Sequence, residues 1–316
     1  MKTLDEIYTE LENDNKSEIE KVWKEAKKES EKVKKINISI CLIINIFIII
    51  FICTNFKKFG FFILPMIIPV IIILNIIPII IVNMLFSKNR NIYNEKYKEI
   101  VIRKIMSNFY NNLEYYPLKP MPEYIYNEGK YELYDVYNSE DYLEGQIENK
   151  YSIQMGEVLT QKKETYKDSN GETKTRLVTR FNGLFAKIII DKDIIEELRI
   201  MENRTIYSRN KLEMDSTEFE KYFDVQASDK IKGMQILTAD VMEELIEFEN
   251  KTNMKFDIII NKQNLYLRFD SGEMFESGNI KKEILDKKLI EKYFYMINFT
   301  YNLSKKIIKV INEIEI

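Results

Sequence analysis

The chain has no histidine among its 316 residues. That absence excludes a Ser-His-Asp triad, a Cys-His pair and every imidazole-ligated zinc or iron site. Its two cysteines, Cys41 and Cys53, form no C-x-x-C motif. They sit inside one apolar run on different helix faces, where they read as apolar fillers rather than a disulfide. Nine glycines leave little material for phosphate-cradling loops, and no G-x-x-x-x-G-K, G-x-G-x-x-G or G-x-S-x-G occurs. An enzyme built from this chain has only carboxylates, Lys, Tyr or Ser to work with. No catalytic residue, cofactor or metal-ligand set is assigned from motifs.

What is present is unevenly spread. The mean hydropathy of −0.29 and 31% charged residues suit a soluble protein. Yet residues 37–56 and 61–86 contain no charged side chain. At about 1.5 Å per residue, each run covers a hydrocarbon core of ~30 Å. A signal peptide does not fit the first run, which follows 36 highly charged residues. The reading is a transmembrane hairpin, 37–56 and 61–86, with a short connection at 57–60.

Lys and Arg near the span ends set its expected orientation. Seven lysines lie between Lys21 and Lys35, only Lys57 and Lys58 lie in the connection, and six basic residues lie between Lys88 and Lys104. Both termini are therefore expected in the cytoplasm of a multi-pass cell-membrane protein. Within the spans, folding the hairpin about its turn places Asn45 within about one helical turn of Asn75, close enough for an amide hydrogen bond. Pro65, Pro69 and Pro78 release backbone carbonyls in the second span. Neither span holds an ionisable group, so helix-helix adhesion is preferred to a pore or transport pathway.

Residues 1–36 read as a charged helix with a break at Asn13–Asn15. A stripe from Tyr93 to Phe109 predicts a stalk helix over 87–116, ended by the YYPLKPMP segment 115–122. The helices flanking the hairpin are expected to pack antiparallel. Residues 87–316 carry 36 basic and 40 acidic side chains, too acidic a balance for nucleic-acid binding. Over 117–279 the pattern turns to short strands: 131–137, 151–160, 173–181, 184–190, 205–208, 255–260 and 265–269. Helices are expected at 216–222 and 238–250, and a long one at 280–314. Strands followed by a long helix predict an α+β domain. The Lys167–Gly171 segment predicts a plain hairpin turn, and Asp141 with Gly145 suggests turn chemistry.

Two ordered blocks then stand out: NSEDYLEGQIENKYSIQMGEVLTQKKE (138–164) before RFNGLFAKIIIDKDI (180–194), and the run from Leu212 to Asn253 before FDIIINKQNLYLRFDSGEMFES (256–277). After a two-span hairpin, these resemble a bacterial membrane family filed as domain of unknown function 3137, over most of residues 87–280. The resemblance implies an α+β domain tethered by a hairpin, with no established activity. It also implies a LemA-type membrane protein as partner; the anchor, the aromatic-rich domain and the lack of catalytic motifs lead to the expectation of a protein partner or homo-oligomer.

Several residues are candidates for structural or binding positions. Gly183, between Phe181 and Phe185, reads as a bulge or strand switch, or else as a point of ligand approach. The two phenylalanines read as core fillers. Glu157 is the polar residue on a predicted strand that most needs placing, and Asn45 and Asn75 are the span amides. Asp191 with Asp193, and the group Glu213, Asp215, Glu218 and Glu220, read as solvated faces rather than magnesium sites. Eight tyrosines between Tyr115 and Tyr142 fit strand and stalk packing, with a binding groove as the alternative. The leading expectation is a membrane-anchored interaction or regulatory module. An oligomeric channel with a sensor domain and a carboxylate-dependent hydrolase are the alternatives.

Overall fold

The computed structural model describes residues 1–59, 63–193, 195–202, 211–280 and 282–314, with backbone alone for 55–59 and 63–67. The chain divides into two units. One comprises Glu10–Tyr97 with Ser277–Asp286; the other comprises Met1–Thr9, Lys98–Glu276 and Lys287–Ile316.

Helix α1 (Leu4–Glu10) leads through a π-helical turn, Leu11–Asn15, into α2 (Lys16–Phe59). The break expected at Asn13–Asn15 is therefore a widened turn. Asn and Asp disfavour a regular helix interior, and the π turn accommodates them without ending the helix. Helix α2 runs 44 residues, joining the charged amino-terminal segment to the first apolar run. Helix α3 (Ile63–Leu85) keeps Pro69 and Pro78 inside it. Both apolar segments are long and apolar enough to cross a membrane, and they are almost entirely unburied. Side chains such as Phe47 (68% exposed) point away from all protein.

Asn45 Nδ2 donates to Asn75 Oδ1 at 3.2 Å, and Asn75 Nδ2 returns a bond at 3.4 Å. The amide pair expected from folding the hairpin is formed. A second pair, Asn37 to Asn83 at 3.3 Å, was not foreseen. Helix α4 (Lys88–Tyr97) packs against α2. Lys96 pairs with Glu18 at 2.6 Å, and the Asn89 N–H donates to Glu29 at 3.1 Å. Partner numbers fall on one helix as they rise on the other, so the two run antiparallel, as the stalk reading expects.

The larger unit, which also holds Met1–Thr9, continues with a second π turn, Lys98–Ile102, and α5 (Arg103–Phe109). The stalk helix ends there, not at 116: Asn111–Tyr116 is strand β1. After α6 (Glu123–Glu128) come β2 (Val136–Ile147), β3 (Tyr151–Lys167), β4 (Thr173–Ile189), β5 (Leu198–Glu202), β6 (Lys211–Leu212), α7 (Phe219–Tyr222), β7 (Phe223–Ala227), α8 (Lys230–Ile236), α9 (Ala239–Thr252), β8 (Phe256–Asn261), β9 (Asn264–Phe269) and α10 (Lys287–Glu313). Among the described residues, the strands form one antiparallel sheet in the order β1-β2-β3-β4-β9-β8-β5-β7-β6. The unit is α+β, as expected.

The differences from expectation have local causes. Strand β2 starts at Val136 rather than 131, because Tyr131 and Tyr134 fold into an aromatic cluster with Tyr126. Asp141 and Gly145 lie within β2 and not in a turn. The strand expected at 205–208 falls outside the described residues. Helix α9 begins where Thr238 accepts from the Val241 N–H and ends at Asn253 in the left-handed region.

Paired residues across an antiparallel ladder project to one side. Glu157, Leu184, Phe269 and Phe256 are linked by successive pairings, so they share a face. Phe248 of α9 and Phe299 of α10 cover that face, stacked at 3.9 Å. Phe185 and Arg268 are paired one position along, so they face the other way. There they meet Tyr126 of α6.

Candidate functional site

The first face carries a charge cluster with a buried centre and a half-exposed rim. Glu140 of β2 lies directly opposite Glu157 of β3. Like charges so placed repel, and desolvation worsens the repulsion. The sheet answers with a β-bulge. The register shifts between Glu140 and Leu143, leaving Asp141 and Tyr142 against Gly156. Asp141 adopts φ 57°, in the left-handed region that short polar side chains tolerate. Its amide and that of Tyr142 leave the ladder for the carbonyls of Pro117 and Lys119.

Lys98 supplies the countercharge from the start of the π turn. Its ammonium donates to Asp141 Oδ2 at 2.6 Å, Glu276 Oε1 at 2.8 Å and Glu140 Oε2 at 3.0 Å. All three protons are thereby used. Burial alone would loosen the Lys98 proton, but Asp141 and Glu276 outweigh it and hold the proton more tightly than in an ordinary lysine. The Tyr115 hydroxyl donates to the other Asp141 oxygen. Burial raises the Asp141 carboxyl as well, opposed by Lys98 and by the Tyr115 bond.

Glu157 lacks such support. One of its oxygens, Oε1, is buried with no hydrogen-bond partner. Burial first, and the neighbouring Asp141 second, raise its proton affinity, with a Met274 backbone bond opposing. Carboxylate oxygens of Glu140, Asp141 and Glu157 all lie within 4.8 Å of one another. Both Asp141 oxygens are engaged by donors, so of the two carboxyls Glu157 is the one whose surroundings favour the protonated form. Lys98, Asp141 and Glu157 are 2%, 1% and 6% exposed. Solvent and substrate do not reach them in this conformation.

The cluster also ties down the segment after β9. Phe275 is fully buried with φ 59°, a strained value for a bulky residue. On either side of it, Met274 bonds Glu157 through its backbone, and Glu276 pairs with Lys98. The Glu276 carbonyl also accepts from the Tyr293 hydroxyl of α10 at 2.8 Å. These anchors over-determine the strained residue.

The opposite face holds a second buried cation. Arg268 (5% exposed) pairs with Asp257 and Glu132, and it donates to the Tyr126 hydroxyl at 3.2 Å. Its guanidinium lies 4.1 Å from the Tyr131 ring centre and 4.9 Å from that of Phe181. Tyr126, Tyr131, Tyr134 and Tyr137 thus pack around Phe181 and Phe185 as core. Tyr126 and Tyr131 also line an open cleft of about 470 Å³ together with Asn127, Lys130, Glu132 and Leu133.

The candidate residues are thereby separated. Glu157 belongs to the first cluster, Phe181 and Phe185 to the second face, and Asn45 and Asn75 to the helix pair. Gly183 pairs regularly with Val158, so it is neither bulge nor strand switch; the register shift lies at Thr160/Gln161. Its φ is not positive. A Cβ there would lie 2.0 Å from the Phe269 carbonyl oxygen and 2.6 Å from the Ser271 nitrogen. Close approach of the backbone after β9 requires the glycine, and Leu184 N–H donating to Ser271 Oγ at 3.2 Å marks the contact. Asp191, 3.6 Å from Lys150, is exposed and apart from Glu157. Lys98, Asp141 and Arg268 were missed because a lone Lys, Asp or Arg in an apolar strand or helix pattern reads as a solvated position.

Residues 179–309 match the family model described as "Protein of unknown function (DUF3137)". The matched stretch runs from within β4 through the later strands and helices to most of α10. The resemblance read from the sequence covered 87–280; the match starts later and extends into α10. It includes Gly183, Arg268 and Glu276 but not Lys98, Asp141, Glu157 or the apolar helices. No curated protein and no solved structure matches the chain.

Proposed function

We propose that this protein is a membrane-anchored interaction or regulatory module. Helices α2 and α3 form a hairpin in the cell membrane, both termini lie in the cytoplasm, and the α+β unit is displayed there. The carrying observation is the surface of the apolar helices. Their large side chains, including Ile46, Phe47, Ile73 and Ile80, are about half exposed or more, while their amides turn inward to one another. Such a surface is compatible with lipid and costly in water. The basic residues flanking both spans support the orientation.

The sealed state of Asp141 and Glu157 speaks for binding over hydrolysis, since a hydrolase needs a carboxylate within reach of its substrate. The Asn45–Asn75 pair satisfies itself and the helix carbonyls, which favours adhesion over a pore. The expected partner is a protein in or at the same membrane, of LemA type or a second copy.

Cysteine labelling tests the topology. In a chain with Cys41 and Cys53 replaced by alanine, Lys58→Cys is expected to react with an impermeant maleimide on intact cells. Ser17→Cys and Lys288→Cys are expected to react only after permeabilisation. The reverse pattern, or recovery of the chain in the soluble fraction, would overturn the reading. Purification in mild detergent tests the partner: a strictly monomeric chain without a recurrent companion counts against the module.

A further inference from the structure

We infer that the outer half of the β3–β4 hairpin, residues 161–180, is a docking arm that accepts an acidic, extended polypeptide segment as an added β-strand. The inference deepens the interaction-module reading and rests on it only for location.

The arm is defined by where its neighbours stop. Strand β2 leaves β3 at Val136, opposite Gln161, and β9 leaves β4 at Phe269, opposite Leu184. Beyond these points β3 and β4 pair only with each other, from Gln161↔Thr179 to Lys167↔Thr173. Both sides of this ribbon are largely exposed, including Tyr166 (43%) and Leu177 (51%). A two-stranded ribbon is marginal alone and gains from a third strand.

Its backbone offers that strand a ladder. The Asp168 N–H donates inward to the Glu172 carbonyl, while the Lys163 N–H points outward to the Asp135 carboxylate at 2.7 Å. Groups alternate along a strand. Thr165 and Lys167 therefore present their N–H and C=O groups on one edge, and Thr173, Thr175, Leu177 and Thr179 on the other. Asp135 already shows a carboxylate meeting the first outward amide of the β3 edge.

Charge selects the occupant. Lys162, Lys163, Lys167, Lys174, Arg176 and Arg180 stand against three acidic residues, in a chain whose net charge is −3. Glu164 pairs with Arg176 and Arg180, and Asp168 with Lys174. Among the described residues, Lys162, Lys163 and Lys167 have no carboxylate in pairing range. Lys163 and Lys167 share a side with Thr165, so the incoming strand carries acidic residues at alternate positions there. A second arm of the same charge would repel. Lipid headgroups offer no regularly spaced ladder of N–H and C=O groups to match the outward edge, so a polypeptide fits better than a lipid surface.

The test uses the full chain in phosphatidylcholine nanodiscs and a library of random linear peptides about 12 residues long, roughly two strand-lengths. Enriched peptides are expected to be acidic and strand-prone, and to slow amide exchange at Thr165 and Lys167 or at Thr173 to Thr179. Thr165→Pro keeps the charge and the inward ladder, because its N–H faces outward. It is expected to weaken binding about tenfold or more. Lys163→Glu with Lys167→Glu is expected to do the same without touching the backbone. Failure to enrich acidic peptides, unchanged binding by both variants, or unprotected arm amides would overturn the inference. So would arm-dependent binding to vesicles of 30% phosphatidylglycerol (roughly the anionic share of a charged leaflet) that the peptides do not displace. Each of these failures leaves the labelling result untouched, and a failed labelling result leaves the arm's binding intact.

Discussion

Glu140 and Glu157 face each other across the β2–β3 ladder, and the ammonium of Lys98 together with the raised proton affinity of Glu157 makes that juxtaposition tolerable. Two carboxylates directly opposite on adjacent strands, with Glu157 buried and Glu140 half-exposed, would otherwise repel across the ladder. Bulge, π turn and strained Phe275 are local features that converge on this neutralisation.

The first consequence is a pH dependence of stability. Glu157 has a raised proton affinity in the folded chain, so its contribution is complete below the ordinary carboxylate range and is lost as pH rises through the raised value. Lys98, Tyr115 and Tyr293, which also face it, hold their protons more tightly than usual. Glu157→Gln cannot ionise. Its melting temperature in detergent, followed by circular dichroism, is expected to match the parent at pH 5 and exceed it at pH 9, by ~1–3 kcal/mol in stability. Equal pH profiles would refute the protonated glutamate.

Removing the cation is more damaging than removing the proton. Lys98→Met leaves Glu140, Asp141 and Glu276 without their shared donor. Stability is expected to fall by ~3–5 kcal/mol. Exchange of the amides from Met274 to Glu276 should accelerate as the strained segment is released. A loss below about 1 kcal/mol would mean that the cluster is solvated.

Gly183→Ala tests close approach rather than backbone freedom. The added methyl would collide with fixed backbone, so a loss of about 3 kcal/mol or more is expected. Gly171→Ala, at φ 79° in open space, is expected to cost only about 1 kcal/mol. Chemical denaturation of the two variants separates the causes; similar losses would contradict the assignment.

The span amides act as a pair. Asn45→Ala and Asn75→Ala should each weaken the helix hairpin by ~0.6–1.7 kcal/mol, and the double variant by little more than either single one. Additive losses in a double-mutant cycle would show that each amide serves a different partner.

Much of the architecture was legible because it follows from short-range pattern. Charge-free runs, the strand alternation at 151–160 and the Thr238 cap are each read within one element. Strand β1 was missed because Asn111–Tyr116 continues a helical stripe, and only pairing with β2 makes it extended. Asp141 reads as a turn residue in the sequence, since an Asp near a Gly carries the same local signal in a turn and in a bulge. Glu157 stands out in the sequence as a polar residue on an expected strand, but its neighbours Asp141, Glu140, Lys98 and Met274 lie 16, 17, 59 and 117 residues away in the chain.

By itself, then, the sequence determined the apolar helices, the strand-rich region with its closing helix and the chemistries that histidine would have allowed. Those properties depend on residue type and periodicity alone. Only the tertiary structure decided that Lys98 serves three carboxylates at once, that Gly183 yields to a crossing backbone, and that buried cations lie on both faces of the sheet. These depend on which strands become neighbours, and a desolvated charge has no local signature until its partner is placed beside it.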